Sequence, residues 1–394
     1  MSRVTDLPTI DDIEVEGRTI LVRADLNVPL ADGRVDDDFR LRAALPTIAL
    51  LRERGGTVVI CSHLGRPEGV DPAYSMKPVG IRLAELGGFP VRVADDVVGP
   101  GARAAVGAPG GAVILLENTR FEKGETKNDP DLAQRLASLA DAFVLDAFGS
   151  AHRTHASTVG VADHLPSAAG PLLLAEVKAF DRILHDPDRP FVVALGGAKV
   201  SDKLGVIDAL LPKVDVMVVG GAMCFTVLVA EGYDVGDSRV EENQVEGVKR
   251  VLQSGHGAKV ALPTDVVVGD RFDRDTAYRV VPATDMPDDG MGLDIGPETA
   301  ERFASILGGA DTIFWNGPMG VFEWPAFASG TRRVAEAVDG GDGYSVVGGG
   351  DTIAALQEFG LGAGVSHLST GGGAGLELIE QGTLPGLEAL RHGS

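Results

Sequence analysis

The sequence predicts an α/β protein of two lobes, each built on a parallel sheet covered by helices, with a helix joining them. Short apolar runs rich in β-branched residues alternate with stretches of helical periodicity along the chain. This alternation favours parallel sheets that are covered on both faces. The roughly sixteen elements are too many for one small sheet, and 394 residues suit two or three domains.

Eight apolar runs are predicted to be strands, four in each half of the chain. They are Thr19–Arg23, Thr57–Cys61, Ala112–Leu116, Ala142–Leu145, Phe191–Leu195, Asp215–Val219, Thr312–Trp315 and Tyr344–Val347. Helical patterns lie between most of them, as in Arg40–Arg54 and Asp131–Ala140.

The joint between the lobes is predicted at the central stretch Gly170–Pro187. A helix is expected to begin near Pro171 and to end before Pro187, because proline suits a first helical turn and disrupts a helix interior. The lobes would then be residues 1–169 and 188–375. The alternative is that this stretch is one more packing helix within a lobe.

The composition is strongly acidic, with 57 Asp and Glu against 35 Lys and Arg and a formal net charge of −22. This balance argues against general nucleic-acid binding, which needs a basic face. Most of the basic residues are Arg, and Lys is scarce. Two interpretations stay open: an acidic protein kept soluble by its charge, and a protein adapted to high salt, where screening removes the self-repulsion.

The sequence favours a cytoplasmic location without a membrane anchor. The longest apolar stretch, Val216–Ala230, is interrupted by Gly220 and Gly221, and no run reaches the ~18 apolar residues of a membrane span. The N-terminal residues have no apolar core of a signal peptide. The two cysteines, Cys61 and Cys224, are far apart and exclude a disulfide framework.

Basic residues follow the predicted strands of the first half, where ligands of open α/β sheets bind. Converging guanidinium groups bind phosphate or carboxylate through paired hydrogen bonds. The alternative for each arginine is a local ion pair with one of the many acidic residues. The strand-end residues, with one arginine from the start of the first helix, are Arg23, Asp25, Asn27, Arg40, His63, Arg66, Arg120 and Arg153.

The strand ends of the second half are rich in glycine instead. Glycine lets a ligand approach the backbone closely, and free amides at a helix N-terminus favour phosphate. Five such turns indicate a polyphosphate or nucleotide site. Lys199 and Lys203, about one helical turn apart, are expected to face the same ligand. Asp351, in a glycine-rich loop, is expected to be a Mg²⁺ ligand, since a free carboxylate would repel phosphates.

Eight motifs resemble the phosphoglycerate kinase family, in the order expected from Leu21 to about Leu390. The motifs are VRADLNVP, SHLGRP, LLENTRFE, DAFGSAHRTHAST, GGAKVSDK, WNGPMGVFE, GGGDT and STGGGAGLELIE. The resemblance implies reversible phosphoryl transfer from 1,3-bisphosphoglycerate to MgADP, giving 3-phosphoglycerate and MgATP, after closure of two Rossmann-like lobes. It also implies that a tail, residues 376–394, returns to the first lobe, and we expect a monomer.

The resemblance implies a role for each matching residue. The glycerate would bind to Asp25, Asn27, Arg40, His63, Leu64, Gly65, Arg66, Arg120 and Arg153. The moving phosphoryl group would contact Arg40, Lys203, Gly371, Gly372 and Gly373. The nucleotide would bind to Lys199, Lys203, Gly292, Asn316, Glu323, Gly349, Gly350, Asp351 and Thr352, with Glu323 on the ribose and Asp351 on Mg²⁺.

Four positions depart from the family pattern. Ala222 stands where a third glycine is expected and would narrow the adenine pocket. Gly375 replaces a usual serine and would remove a helix cap. Leu145 and Ser150 replace a usual asparagine and threonine. None of these residues belongs to the expected chemical machinery.

Two other functions compete with the kinase interpretation. A nicotinamide dehydrogenase would also have two α/β lobes, but no G-x-G-x-x-G follows the first strand. A binding protein without activity would be expected to have lost Arg40, Lys203 or Asp351, and all three are present.

Salt dependence of stability distinguishes the two interpretations of the acidic charge. If the acidic composition is an adaptation to high salt, the free energy of unfolding rises from low to molar KCl, because screening weakens the repulsion among carboxylates. Urea unfolding at a series of KCl concentrations measures this dependence. A flat or falling curve would leave only the solubility interpretation.

Overall fold

The computed structural model describes residues 6–108 and 110–392, and they divide into two compact units. The first unit comprises the chain up to Lys178 together with the residues from Gln381 onward, and the second is Ala179–Glu380. The boundary lies inside one continuous helix, Pro171–His185. Among the described residues, no helix is both long and apolar enough to cross a bilayer.

The first unit is a six-stranded parallel sheet with helices and one small hairpin. Its strands are β1 Thr19–Ala24, β2 Leu30–Ala31, β3 Arg34–Val35, β4 Thr57–Cys61, β5 Val91–Val93, β6 Val113–Leu115, β7 Ala142–Asp146 and β8 Ser167–Ala169. Its helices are α1 Phe39–Glu53, α2 Lys77–Gly87, α3 Pro100–Val106, α4 Pro130–Ala137 and α5 Phe148–Ala151, and the helix at the unit boundary is α6 Pro171–His185.

The second unit has a six-stranded parallel sheet and a separate three-stranded antiparallel sheet. Its strands are β9 Phe191–Leu195, β10 Val216–Val219, β11 Val260–Ala261, β12 Asp265–Gly269, β13 Tyr278–Pro282, β14 Met291–Ile295, β15 Thr312–Asn316, β16 Tyr344–Gly348 and β17 His367–Leu368. Its helices are α7 Leu204–Leu210, α8 Met223–Glu231, α9 Val245–Leu252, α10 Pro297–Gly308, α11 Ser329–Asp339, α12 Gly350–Phe359 and α13 Gly373–Gln381. The last helix, α14 Pro385–His392, belongs to the first unit.

Short 3₁₀ helices complete the chain. They are Ile10–Asp12, Pro72–Tyr74, Thr119–Phe121, Glu125–Lys127, Gly160–Asp163, Glu242–Gln244, Gly257–Lys259 and Pro325–Phe327.

Strand order places the carboxyl ends of the central strands side by side. In the first sheet the order is β5-β6-β4-β1-β7-β8, so β1 lies between β4 and β7. Its Arg23 is in register with Cys61 on one side and Leu145 on the other. In the second sheet the order is β11-β10-β9-β15-β16-β17. Both orders reverse direction beside the first strand of the unit, the position where open α/β sheets bind ligands.

The predicted α/β class with parallel sheets is confirmed, and all eight predicted strands are present with ends shifted by at most one residue. Their continuous Val, Ile and Leu content is explained by burial on both faces of each sheet. The central helix is present as α6. The helix predicted over 131–140 ends at Ala137, because Leu139 and Ala140 donate to carbonyls three residues back, as in a 3₁₀ turn.

The antiparallel sheet of β12, β13 and β14 was not predicted. Its edge strand β13 is mostly exposed, and β12 is a five-residue apolar run that resembles any buried segment. The strands β5, β8, β11 and β17 were also missed, since each has only two or three residues. Runs this short carry too little periodicity to be recognised.

Helix α10 is capped at its N-terminus by the buried side chain of Asp265, which lies outside the helix. The helix's own N-cap residue, Gly296, has no side chain that could do so. The Asp265 carboxylate accepts hydrogen bonds from Thr299 N at 2.7 Å, Thr299 Oγ1 at 2.6 Å and Glu298 N at 3.1 Å. The carboxylate therefore satisfies amides that the first turn of any helix leaves free. It also fixes α10 to the antiparallel sheet.

We expect Asp265→Ala to lower the free energy of unfolding by about 2 kcal/mol, since it removes a cap and leaves buried donors unpaired. Urea unfolding measures the loss. Asp288→Ala removes an exposed carboxylate of the same unit and should change stability by less than ~0.5 kcal/mol. Equal effects of the two substitutions would contradict the capping role.

Candidate active site

Arg23, the one arginine of strand β1 and its penultimate residue, is fully buried. Its Nε donates to Ser157 Oγ at 2.9 Å, and its Nη2 lies 2.9 Å from His63 Nδ1. Its remaining donors reach Ser150 Oγ at 3.3 Å, Ser62 Oγ at 3.5 Å and the Ala24 carbonyl. The expectation that Arg23 contacts a ligand is therefore wrong. Its side chain is buried, and its donors hold neighbouring protein groups in place, including the His63 ring.

Asp25, Asn27 and Arg40 form a second group beside Arg23. Arg40 Nη1 donates to the Asn27 carbonyl at 2.8 Å and lies 3.4 Å from Asp25 Oδ1. Asn27 Oδ1 accepts from Gly65 N at 2.8 Å. The side-chain oxygen of Asn27 thus fixes the loop after β4. The side-chain NH₂ group of Asn27 stays available to donate to a ligand.

The loop after β4 carries His63, Leu64, Gly65 and Arg66. The buried Asn118 side chain fixes Leu64 by accepting from its amide at 3.1 Å and donating to its carbonyl at 2.7 Å. Gly65 has φ +60°, and an added Cβ would lie 2.2 Å from the Tyr74 ring. Glycine is therefore required at this turn.

Arg66, Arg120 and Arg153 line one cavity of about 490 Å³ in the first unit. None of the three forms an ion pair with any residue in the described parts of the chain, although Glu68 and Glu122 also line the cavity. The expectation that the guanidinium groups of these three residues converge is therefore met within the unit. Among these strand-end arginines, as far as the described residues show, the alternative of a local ion pair holds for Arg40 alone, which contacts Asp25.

Burial, together with the cationic surroundings, lowers the pKa values of His63, His155 and Arg120. Burial, with the charges of Arg23, Arg120 and Arg153, lowers the pKa of His63 well below its ordinary value. Burial likewise lowers the pKa of His155 to about 4, although Glu125 raises it. Burial and the charges of Arg153 and Arg23 lower the pKa of Arg120. Uncompensated positive charge of this kind favours the binding of an anion.

The second unit contains an apolar cavity of about 400 Å³ at the carboxyl edge of its parallel sheet. Its wall combines residues of β14 and of glycine-rich loops with two carboxylates, Glu323 and Asp351, and one guanidinium, Arg239. Phe272 also lines it and packs on Trp324 with the ring centroids 4.6 Å apart. An apolar slot with a few polar groups suits a flat heteroaromatic ring. The lining includes the expected Gly292 and Ala222.

A more polar cavity of about 250 Å³ is lined by many residues of the expected nucleotide site. Lys203 is buried and its Nζ donates to the Gly196 carbonyl at 2.7 Å. Burial lowers the pKa of Lys203, while the carboxylates of Asp202 and Asp351 raise it. The expected residues that line this cavity are Lys199, Lys203, Asn316, Gly349, Gly350, Asp351 and Thr352.

Lys199 and Lys203 line the same cavity, but the expected helical turn between them is absent. Residues 198–203 form an irregular turn, and helix α7 begins only at Leu204. The spacing of four residues therefore says nothing about a shared helix face here. The Thr352 hydroxyl accepts a hydrogen bond from Gly317 N at 2.7 Å, and its own proton stays available to donate.

The glycines of these loops have two different functions. An added Cβ on Gly221 would lie 2.4 Å from Gly197 N, so this residue allows two loops to pack backbone against backbone. An added Cβ on Gly350 would meet nothing within 4 Å. Gly350, in the first turn of α12, therefore has the open surroundings expected of a phosphate-binding amide.

Gly371, Gly372 and Gly373 form the turn into helix α13. Gly371 N donates to Ser369 Oγ at 3.1 Å, whereas Gly372 and Gly373 have free space beside their Cα atoms. The suggestion that Gly375 removes a helix cap is wrong, because this residue lies inside α13. An added Cβ there would lie 2.4 Å from the Phe180 ring, which explains glycine at this position.

The other departures also have structural surroundings. Ala222 has right-handed backbone angles that alanine adopts without strain. Leu145 is buried at the end of β7 and lies against Gly386 of α14. Ser150 supplies one of the hydroxyl groups that accept from Arg23.

Sequence reasoning missed Arg239 and Phe272. Arg239 lies in an irregular loop and lines both cavities of the second unit. Phe272 lies in the turn between β12 and β13, within the sheet that was not predicted. Neither residue belongs to a strand-end motif, so no signal in a single sequence marks them.

Comparisons with known proteins agree with one family. The family profile described as phosphoglycerate kinase matches residues 10–382. The chain is 54% identical to phosphoglycerate kinase of Salinispora arenicola, over 98% of this chain and 100% of the relative. It is 51% identical to phosphoglycerate kinase of Thermus thermophilus, over 97% of this chain and 99% of the relative.

Solved structures give the same result. The phosphoglycerate kinase structure from Coxiella burnetii matches with a TM-score of 0.86 and 39% identity, over 98% of this chain and 99% of that chain. The structure from Pyrococcus horikoshii has the same TM-score at 33% identity, over 98% of both chains.

These matches confirm the resemblance of the eight motifs and exclude the dehydrogenase interpretation. The chain belongs to the phosphoglycerate kinase family and is a phosphotransferase of the glycolytic reaction between 1,3-bisphosphoglycerate and ADP.

Proposed function

We propose that the first unit binds the glycerate substrate, that the second binds MgADP or MgATP, and that the phosphoryl group passes in line between them. The observation that carries this division is the cavity lined by Arg66, Arg120 and Arg153, whose guanidinium groups have no ion-pair partner among residues 6–108 and 110–392. Three such cations suit the phosphate that stays on the glycerate.

The polar groups next to this cavity suit the rest of the glycerate. Asp25 accepts from a substrate hydroxyl, and the Asn27 amide donates to the carboxylate. His63 adds a hydrogen bond to the phosphate. Leu64 and Gly65 contribute through the backbone that Asn118 and Asn27 hold in place.

The cavities of the second unit suit a nucleotide. The apolar slot takes the base, with Gly292 in its floor and Glu323 accepting from the ribose. The polar cavity takes the phosphates, with Lys199, Lys203 and Asn316 beside the amides of Gly349, Gly350 and Thr352. Arg239 adds a cation where the two cavities meet, since it lines both.

The transfer step needs positioning and charge neutralisation and little covalent help. Arg40 and Lys203 neutralise the equatorial oxygens, and the amides of Gly372 and Gly373 donate to them, joined by the Gly371 amide once it exchanges Ser369 Oγ for the substrate. The leaving group of the acyl phosphate is a carboxylate, so no strong general base is required. Because the substrates bind to different units, closure must bring the reacting atoms within ~3–3.5 Å and expel water.

The nucleotide is proposed to carry Mg²⁺ held by Asp351. The carboxylate is exposed in the first turn of α12 and lines the polar cavity. The part of the chain that the structure describes contains no cluster of three His, Cys, Asp or Glu that could hold a metal. Mg²⁺ suits one carboxylate with phosphate oxygens and water, and when bound it offsets phosphate charge. We further propose that the enzyme is a cytoplasmic monomer.

A coupled assay of ATP-dependent 3-phosphoglycerate phosphorylation tests the proposal. We expect turnover that requires Mg²⁺. We also expect that a substitution in one unit changes only the KM of the substrate that binds to that unit. Arg66→Gln should raise the KM for 3-phosphoglycerate only, and Glu323→Gln the KM for ATP only. Folded protein without turnover at any KCl concentration would contradict the proposed function.

Arg40→Ala should abolish turnover and leave nucleotide binding nearly unchanged. A cation aimed at the transferring group is worth ~10³–10⁵ in rate, and Arg40 lies in the first unit, outside the proposed nucleotide site. Steady-state kcat and calorimetric MgADP binding measure the two effects. The control Arg42→Ala removes an exposed arginine of the same helix, paired with Asp38 at 2.7 Å. A wild-type rate for Arg40→Ala would contradict its role.

Asp351→Asn should raise the Mg²⁺ concentration needed for half-maximal activity by about tenfold or more, because the single proposed protein ligand loses its charge. Activity at fixed ATP is measured against free Mg²⁺. Asp342→Asn, which changes an exposed carboxylate of the same unit, is the control. A lower rate with an unchanged Mg²⁺ dependence would show that Asp351 does not hold the metal.

A further inference from the structure

The contact between Arg23 and His63 determines which imidazole nitrogen carries the proton. Arg23 Nη2 lies 2.9 Å from His63 Nδ1. A guanidinium group only donates hydrogen bonds, so Nδ1 must accept. In the neutral ring, which the low pKa of His63 favours, the proton is therefore on Nε2. His63 can then donate through Nε2 to an anion without being charged.

The Arg23 side chain is itself fixed by a hydrogen-bond chain that leads away from the substrate site. Arg23 Nε donates to Ser157 Oγ at 2.9 Å. Ser157 Oγ donates to Glu125 Oε1 at 2.5 Å, and Ser157 N donates to Glu125 Oε2 at 3.1 Å. Arg23, Ser157 and Glu125 all have zero exposure.

We propose that Glu125 is a positioning residue for the anion site: acting through Ser157 and Arg23, it makes His63 present its Nε2 proton to the substrate. The inference rests on the proposed function, because it takes His63 as a residue that contacts the glycerate phosphate. Glu125 itself has no exposed surface and does not line the arginine cavity.

A buried carboxylate is suited to this position for two reasons. It offsets the buried charge of Arg23, which would otherwise be costly beside other cations. It is also an acceptor only, so it forces the Ser157 hydroxyl to donate to it and to accept from Arg23. Because the Arg23 guanidinium only donates, Glu125 acts by fixing the position of Arg23, whose Nη2 then occupies His63 Nδ1.

The direction of the change in the KM for 3-phosphoglycerate distinguishes a positioning role of Glu125 from a purely electrostatic effect of its charge. A negative charge near the site repels the substrate phosphate, so its removal alone would lower the KM for 3-phosphoglycerate. Loss of the orienting chain would raise that KM instead, by about tenfold if one charge-assisted hydrogen bond is lost. The two effects have opposite signs.

The test combines ¹⁵N-histidine NMR with kinetics on the full-length protein. In the wild type, His63 should be the neutral Nε2–H tautomer, and its signals should shift when 3-phosphoglycerate is added. In Glu125→Gln, the neutral side chain no longer offsets the charge of Arg23 and its amide can donate to Ser157 Oγ, so Arg23 is held less firmly and its hydrogen bond to His63 Nδ1 weakens. We expect mixed tautomers of His63, a raised KM for 3-phosphoglycerate, and an unchanged KM for ATP.

Two further variants keep the inference testable. Ser157→Ala breaks the same chain but keeps both charges, so it should show the same changes if Glu125→Gln does not fold. Asp96→Asn changes another carboxylate of the first unit, which accepts from the amides of Gly99, Gly101 and Ala102 at the start of α3 and forms no hydrogen bond with Arg23. It should leave the tautomer and both KM values unchanged.

The outcomes are distinguishable. Absence of any His63 shift with 3-phosphoglycerate would contradict the proposed function and the inference with it. A normal shift in the wild type, with an unaltered tautomer and an unchanged or lowered KM in Glu125→Gln, would overturn the positioning role alone. An Nδ1–H tautomer in the wild type would overturn it without any variant.

Discussion

The buried guanidinium of Arg23 is the interaction on which the arrangement of the first unit depends. A buried cation is tolerated only if hydrogen bonds and opposite charge replace the water it loses. Arg23 meets this condition with three serine hydroxyls, a carbonyl and the His63 ring. These partners come from β1 itself, the loop after β4, α5 and the loop before the 160–163 turn, so one side chain brings several segments into a fixed arrangement around the end of β1.

The same constraint explains how a protein of net charge −22 can hold an anion site. Long-range repulsion from surface carboxylates is screened over about 10 Å in salt. The cavity of Arg66, Arg120 and Arg153 acts at hydrogen-bond distance, where screening is weak. Glu125 is buried and does not line this cavity. It therefore offsets the charge of Arg23 without forming ion pairs with the three arginines that line the cavity.

The sequence was sufficient to predict the parallel sheets, because strands buried on both faces are continuous apolar runs and their carboxyl ends carry the polar motifs. It was not sufficient where contacts between distant segments decide the outcome. Arg23 and Arg66 are both strand-end arginines in the sequence, yet Arg23 is fully buried and Arg66 lines a cavity. Lys199 and Lys203 have helical spacing without a helix. Arg239 comes to the nucleotide cavities from a loop without a motif.

The glycines of the second unit show that residues of similar glycine-rich motifs are required for different reasons. Where Gly221 approaches Gly197, a side chain is excluded by another loop, so the requirement for glycine is one of packing. This packing brings the ends of β9 and β10 together, and Gly317 donates to Thr352 beside them. Gly197 and Gly221 thus serve loop packing although both also line the apolar cavity, whereas Gly350 and Gly372 have open space beside their Cα atoms. The glycine-rich pattern of the sequence records both requirements at once.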